Sequence, residues 1–307
     1  MYILFICFVA AATKQIKMEW YYELNHLMTS TMSPVGLSPR YINAYKLFHH
    51  PRRHQIRKQP WVGYVMVMPD GKTRKLDGLT KPLKEVFYPY QRSESTGGAK
   101  TGGSARGNIV DKEIADLVNH CRVSTTLSKY TVQVLTYLKK HSLQPFAAQY
   151  LVFDENLGIA TELDLLCIDL SVAVSLSGAA VDNVVNVQVK TGFDLNYETE
   201  KEYLSSPFVK DSAITRIYKN HKNTHQLQNL VEHMIVQLRY DRLLKESVVL
   251  VFSEEVNSLY RIGHMLMAVK ADVYENLYKR QHVQPLDLQI KGMKAGAAAK
   301  KAKALFT

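Results

Sequence analysis

The sequence predicts an α/β fold in which a central mixed β-sheet is flanked by helices and preceded by an N-terminal accessory region. The main observation is the order of patterns from residue 108 onward, which runs helix, helix, three strands, helix, strand, helix. The composition agrees, because 307 residues with 46% hydrophobic content suffice for one large α/β domain or two small ones. We therefore assign the core to residues 107–285.

The N-terminal part divides into an apolar extension and a basic region. Residues 1–17 contain an almost wholly apolar stretch ending in three alanines, like the hydrophobic part of a signal peptide, but no cation precedes it. Two interpretations stay open. The stretch is either an extension upstream of a start at Met18 or a simple buried segment, which we favour, or it is a secretion signal. Residues 18–91 form the basic accessory region.

Local signals predict the elements of this region and the segment after it. Ser38 and Pro39 suit the first positions of a helix over 37–48. Val62–Met68 and Lys72–Leu76 flank the turn Pro69-Asp70-Gly71, which predicts a β-hairpin. Residues 92–106 are rich in glycine and serine, so we expect a flexible linker or a mobile loop over a site.

Hydrophobic periodicity predicts the elements of the core. Apolar residues at helical spacing, such as Val110, Ile114 and Leu117, predict the helices, and short β-branched runs predict the strands. The predicted helices cover 108–122, 127–141, 223–245 and 271–282, and the predicted strands cover 149–154, 159–169, 184–190 and 248–252. The Ala/Lys-rich tail at 286–307 is either a frayed end or an electrostatic arm for nucleic acid.

Charge and cysteine content narrow the class of protein. A formal net charge of +11 favours polyanion partners, with nucleic acid first and anionic membrane second. The three cysteines form no C-x-x-C pair, so a thiolate zinc site is not expected, and buried thiols indicate an intracellular, reducing compartment such as the nucleus, the mitochondrion or a viral replication site. The apolar N-terminal stretch is too short for stable membrane insertion. The motifs of NTPases, α/β-hydrolases and zincins do not occur.

Two predicted strands carry polar side chains that face one another. Asp164 lies on the first, and Gln188 and Lys190 lie two positions apart on the second, so both point the same way. Buried strands rarely bring a carboxylate, an amide and an amine together for packing alone. The combination suits a divalent metal ion and a water molecule that attacks a phosphate.

These residues resemble the core motif of the PD-(D/E)XK nuclease superfamily. The most similar branch is the RecB-like one, which includes the mitochondrial genome-maintenance exonuclease. Its motifs are a helix with G-x-x-[aliphatic]-H, a strand with G-x-[aliphatic]-D, a strand ending in [D/E]-x-K-T and a helix with Q-x-x-x-Y. In their places the sequence has Gly107–Asp111, Ala160–Asp164, Gln188–Thr191 and Gln226–Gln228, so the resemblance covers about residues 107–252.

The resemblance implies a restriction-endonuclease-like fold and a nuclease that uses Mg²⁺ or Mn²⁺ to hydrolyse phosphodiester bonds in DNA, such as an exonuclease in replication, repair or recombination. It implies that Lys190 positions or deprotonates the attacking water, or offsets charge in the transition state. The implied metal ligands are Asp111, Asp164, Gln188 and the backbone carbonyl of Val189. The implied substrate contacts are Thr191, Gln226 or Gln228, and the basic residues Arg52, Arg53 and Arg106.

The sequence also departs from the family pattern. Gln188 replaces the usual second carboxylate, Asp111 replaces the usual histidine, and no tyrosine follows Gln226 or Gln228 at four residues. Asp111 returns the missing charge if its helix packs beside the strands. Glu113 faces another side of that helix, and Glu162 shares the face of Asp164.

Because of the neutral glutamine, we carry a second hypothesis, a catalytically degenerate nucleic-acid-binding protein of the same fold. A third is a secreted or membrane-associated protein that uses residues 1–12.

Overall fold

The polypeptide forms one eight-stranded mixed sheet with helices on both faces. The structure is a computed structural model and describes residues 55–59, 62–88, 100–120, 122, 127–171, 184–191, 198, 203–204, 213–240, 244–252 and 257–282. The predicted apolar extension, the helix predicted at 37–48, Arg52, Arg53 and the predicted basic tail lie outside these residues.

The strands and helices are numbered here in chain order. The strands are β1 (Ile56–Gln59), β2 (Gly63–Val67), β3 (Thr73–Gly78), β4 (Leu143–Asp154), β5 (Ile159–Asp169), β6 (Val184–Thr191), β7 (Glu246–Phe252) and β8 (Asn257–Arg261). The helices are α1 (Thr80–Val86), α2 (Lys100–His120), α3 (Lys129–Lys140), α4 (His221–Arg239), α5 (His264–Ala268) and α6 (Lys270–His282), and a 3₁₀ turn spans Ala213–Arg216.

The strands follow the order β1-β2-β3-β5-β6-β7-β8, with β4 paired to β5. Two pairs are parallel, β3 with β5 and β6 with β7, and the others are antiparallel. One edge of β5 pairs with β4 along its length, so β3 and β6 share its other edge. The chain leaves β6, forms α4 and returns parallel in β7, which places α4 across one face of the sheet. The predicted mixed sheet flanked by helices is thus confirmed.

Each face of the sheet has its own hydrophobic core. On the first face, α4 and α6 cover the sheet through residues such as Leu230 and Leu277. On the second face, α2 and α3 cover it through residues such as Ile114 and Leu138, which pack on Val187 of β6 and its neighbours. Successive residues of β6 therefore face opposite cores, with Val184 in the first and Val185 in the second.

Side-chain caps set where two helices begin. The Ser128 hydroxyl accepts a hydrogen bond from the Thr131 N–H at 3.3 Å, and α3 starts at the next residue. The Asn220 carboxamide oxygen accepts from the Asn223 N–H at 2.7 Å and caps α4 in the same way. The cap explains why α4 begins at His221, slightly before the predicted start.

Several boundaries differ from the sequence prediction, each for a physical reason. The helix α2 begins at Lys100, so it includes residues 100–106 of the predicted linker. Glycines disfavour a helix, but once the packed apolar turns have formed, each further helical residue adds one backbone hydrogen bond. The strand β4 begins at Leu143, not at 149. It includes Pro145, which lies where the register between β4 and β5 shifts, and a strand tolerates a proline at such an irregularity. The short edge strands β1 and β8 were not predicted.

The strands of the predicted accessory region extend the same sheet. Asp77 of β3 pairs with Ile159 of β5. Arg280 of α6 donates to the carboxylates of Asp77 and Glu85, both at 2.6 Å, and so ties α6 to β3 and α1. Although burial favours the neutral acid, the hydrogen bond from Arg280 lowers the pKa of Asp77.

Candidate functional site

The candidate site lies where β5 and β6 separate. Their ladder ends at the pair Leu165–Val187, and its continuation would set Asp164 opposite Gln188. Instead the Val189 N–H donates to Asp164 Oδ2 at 2.8 Å, so a side chain takes the place of the next ladder bond. Because the N–H and C=O of one strand residue point to the same side, the Val189 carbonyl also lies toward β5.

Gln188 and Lys190 lie on the face of β6 that α4 covers. Asn186, on the same face, hydrogen-bonds to α4, and side chains two apart on a strand share a face. Gln188 is only 1% exposed, and within the described residues neither Oε1 nor Nε2 has a hydrogen-bond partner. A buried carboxamide without partners costs free energy, so this group is suited to receive a polar ligand.

Helix α2 packs on the other face of the sheet, and it brings Asp111 close enough to Asp164 and Lys190 to interact with their charges. Asn119 anchors this helix to β4, because its side chain donates to the Ala148 carbonyl at 2.8 Å and accepts from the Ala148 N–H at 3.0 Å. Burial, followed by repulsion from Asp164, raises the pKa of Asp111 to about 6, while attraction from Lys190 acts in the opposite direction. Asp111, Asp164 and Lys190 therefore lie within electrostatic reach of one another.

Asp164 itself has opposing neighbours. Burial raises its pKa, and the attraction of Lys190 and the hydrogen bond from Val189 lower it without cancelling the effect of burial. Lys190 is the cation that both Asp111 and Asp164 have in common. The arrangement is a half-buried pair of acids beside one ammonium group.

Glu232 of α4 is a further acid near this pair that the sequence analysis missed. It is 1% exposed and accepts hydrogen bonds from Gln228 Nε2 at 3.1 Å and from Asn186 Nδ2 at 3.2 Å. Burial, followed by repulsion from Asp164, raises its pKa to about 8. The available signal was its spacing, four residues after Gln228, where the family motif has its tyrosine.

The other carboxylates near the site have partners of their own. Glu162 forms an ion pair with Lys58 of β1, which brings the N-terminal strands to the rim of the site. Glu113 accepts from the Ser128 N–H at 3.0 Å and from the Thr131 hydroxyl at 2.5 Å. Glu113 therefore holds the start of α3 and faces away from the site.

The predicted substrate contacts separate in the structure. Gln228 shares the site with Glu232, whereas Gln226 accepts a hydrogen bond from the Gly263 N–H at 3.2 Å on another side of α4. The Arg106 guanidinium lies 5.8 Å from the centre of the Tyr130 ring and packs on α3. Thr191 ends β6, one residue beyond Lys190.

A metal ion at this site would depend on a mixed set of oxygen donors. Across the described part of the chain, no three His, Cys, Asp or Glu side chains are grouped as a metal site. The donors at the separation of β5 and β6 are instead carboxylates, the unpartnered Gln188 carboxamide and the Val189 carbonyl. Oxygen donors of these kinds fit Mg²⁺ or Mn²⁺.

Comparison with known proteins adds no identification. No protein-family model matches the chain, and no curated protein matches its sequence. Among the helices that the structure describes, none combines the length and the apolar character needed to cross a membrane. The function is therefore inferred from the geometry of the site.

Proposed function

We propose that the protein is a Mg²⁺- or Mn²⁺-dependent nuclease that hydrolyses phosphodiester bonds in DNA. The observation that supports this proposal most is that the Asp164 carboxylate lies on the backbone N–H of Val189, between Gln188 and Lys190, at the point where β5 and β6 separate. A carboxylate, a carboxamide without protein partners and an ammonium group there match the needs of a metal ion and a phosphate.

Each side chain has a definable role in this proposal. One carboxylate oxygen of Asp164 accepts the hydrogen bond from the Val189 N–H, and the other oxygen would be the charged ligand of the metal ion. Gln188 and the Val189 carbonyl would add neutral oxygens, and Asp111 adds a second negative charge once it ionises. A bound metal ion supplies Lewis acidity and offsets negative charge at the phosphate. Lys190 orients or deprotonates the attacking water, or offsets charge in the transition state.

Composition favours a nucleic-acid partner and an intracellular setting, whereas the preference for DNA comes from the resemblance of the motifs. The net charge of +11 favours a polyanion, and the buried free thiol of Cys167 suits a reducing compartment. We propose an exonuclease of replication, repair or recombination in the nucleus, the mitochondrion or a viral replication site.

A second candidate is a DNA-binding protein of the same fold that has lost catalysis. The neutral Gln188 favours it, as does the finding that no three His, Cys, Asp or Glu side chains of the described residues are placed together to hold a metal ion. This candidate predicts binding that weakens steeply with salt and no cleavage in the presence of a divalent metal.

The decisive experiment compares cleavage by three proteins. End-labelled single- and double-stranded DNA is incubated with the wild type, Lys190→Ala or Lys140→Ala, with Mn²⁺ or with EDTA. Lys140 is an exposed lysine at the end of α3, on the other face of the sheet, and serves as the matched control.

We expect cleavage only with metal, a loss of about 10²- to 10⁴-fold in Lys190→Ala with DNA binding retained, and no change in Lys140→Ala. Undiminished cleavage by Lys190→Ala would refute the assignment. Salt-sensitive binding by a wild type that does not cleave would favour the second candidate.

A further inference from the structure

A cleft of about 460 Å³ lies beside the first turns of α4. It is bounded by the 3₁₀ turn, the N-terminal part of α4, β8 and the residues that open α5. Among the described residues, its lining includes cationic and aromatic side chains and no acidic one. The cationic and aromatic members are Arg216, Tyr218, Lys222, Tyr260, Arg261 and His264.

The cations of the cleft are arranged around its edge. Lys222 Nζ lies 5.0 Å from the centre of the Tyr260 ring and 3.2 Å from Glu198. Arg261 donates to Glu246 at 2.7 Å, and neither of these acids lines the cleft. Arg216 adds an exposed guanidinium on the 3₁₀ turn. Lys222 and Arg261 thus have acidic partners, and Glu198 also hydrogen-bonds to the Tyr260 side chain, so Arg216 contributes most of the positive charge that suits a phosphate group.

An exposed pair of aromatic rings stands at the same place. Tyr218 lines the cleft and stacks on Tyr203, with ring centres 4.2 Å apart and an angle of 19° between the rings. The side chains are 39% and 49% exposed, although large aromatic rings are usually buried. Exposed rings beside cations form the kind of platform on which unpaired bases stack.

The sheet connects this cleft to the candidate site. The register sets Gln188 beside Val249, and Val249 beside Tyr260, so the three share one face of the sheet. Two strand spacings separate Gln188 from Tyr260, which is about 10 Å between their Cα atoms. A strand of a few nucleotides that occupies the cleft is therefore long enough to reach the site.

We propose that this cleft binds single-stranded nucleic acid, with phosphates near Arg216 and Lys222 and bases against Tyr218 and Tyr260. Single strands are favoured because their bases are free to stack, whereas a duplex hides its base faces. In this role the cleft delivers the strand to Asp164 and Lys190. That last step rests on the proposed function, but binding in the cleft does not.

The test measures binding without any divalent metal. Fluorescence anisotropy of a labelled oligothymidylate, recorded in EDTA over a range of salt concentrations, compares the wild type with Arg216→Glu and Tyr218→Leu. Lys140→Glu has the same charge change on the other face of the sheet and serves as the control. Thermal unfolding of each variant verifies its fold, and Arg216→Gln replaces Arg216→Glu if the charge reversal disturbs it.

We expect Arg216→Glu to weaken binding about tenfold and to reduce the slope of log K against log salt by about 0.7 or more. Tyr218→Leu should weaken binding about fivefold or more and leave the slope unchanged, because stacking releases no counterions. Lys140→Glu should bind within about twofold of the wild type.

Other results would overturn the proposal. Folded Arg216 and Tyr218 variants that bind like the wild type would do so, as would equal competition by polyglutamate or tighter binding of duplex DNA. The two proposals fail separately. If the cleft variants weaken binding but the wild type shows no Mn²⁺-dependent cleavage, only the nuclease proposal is refuted. If the wild type cleaves and both cleft variants cleave and bind as it does, only the cleft proposal is refuted.

Discussion

The Asp164 carboxylate accepts a hydrogen bond from the Val189 N–H, with 2.8 Å between Oδ2 and the nitrogen. This bond replaces a strand-to-strand bond where β5 and β6 separate. The same carboxylate is the charged ligand in the proposed site. One side chain therefore combines a structural bond with a chemical role, and variants can separate the two.

Asp164→Asn should fold and fail to cleave. The asparagine oxygen can still accept from Val189, so we expect a stability loss of less than about 1 kcal/mol, whereas Asp164→Ala should lose about 1–3 kcal/mol. Both should lose metal-dependent cleavage, because neither carries the charge. Urea unfolding and the end-labelled DNA assay measure the two effects. Full cleavage by the folded Asp164→Asn variant would contradict the role given to the carboxylate.

Gln188→Glu tests whether the neutral amide limits the site. A carboxylate at this buried position, beside Asp164, should lower the melting temperature without metal, because two like charges then share one site. Mn²⁺ should raise the melting temperature more in this variant than in the wild type, since the metal gains a charged ligand. The measurement is thermal unfolding with and without Mn²⁺.

Gln188→Met is the matched control for that experiment. It removes the unpartnered polar atoms at similar volume, so we expect unchanged or higher stability without metal and no response to Mn²⁺. Equal responses to Mn²⁺ in the wild type and both variants would place metal binding elsewhere.

Glu232 should make stability depend on pH. Its pKa is raised to about 8 in the folded protein, first by burial, whereas an ordinary glutamate titrates near 4.5. Between these pH values the folded state keeps a proton that the unfolded state releases, so stability falls as pH rises, and the full cost is present above pH 8. Glu232→Gln should remove this cost, so its stability relative to the wild type should be higher at pH 8.5 than at pH 5 by about 2–4 kcal/mol.

Urea unfolding at the two pH values measures this difference. Glu275→Gln, an exposed glutamate on α6, is the control and should show less than about 0.5 kcal/mol. A difference of the same small size for Glu232→Gln would mean that Glu232 is ionised in the folded protein at neutral pH.

Asp154 should matter for stability and not for chemistry. Its buried carboxylate accepts from Arg239 Nε at 2.7 Å and from the N–H groups of Asn156 at 2.8 Å and Leu157 at 3.1 Å. Asp154→Ala leaves these donors unpaired at the β4–β5 turn, so we expect a loss of about 3 kcal/mol in urea unfolding. Asp70→Ala in the exposed hairpin should lose less than about 1 kcal/mol. Similar losses in both variants would contradict this account.

The fold was predictable where local patterns are strong. The strand at 159–169 was predicted at its observed bounds, because its apolar run is bounded by turn residues on its N-terminal side. The edge strand β1 is mostly exposed and β8 has no buried residue, so no hydrophobic pattern marked them. The start of α2 was missed because glycines lower helix propensity, and packing overrides that preference.

The candidate site likewise has features that local patterns predict and features that depend on tertiary packing. The common face of Gln188 and Lys190 follows from the strand period alone, whereas Asp164 was connected to them through the family resemblance. The contribution of Glu232, and the separation of Gln226 from Gln228, depend on how α4 is rotated above the sheet.

By itself the sequence determined the main strands and helices of the core, apart from some of their ends, and which side chains share a strand face, because these depend on periodicities within a few residues. Only the tertiary structure decided which strands are neighbours, that Asp164 bonds to Val189, and that Glu232 is buried beside Asn186. These relationships join residues far apart in the chain, and they arise from the packing of whole helices onto the sheet, which no local pattern encodes.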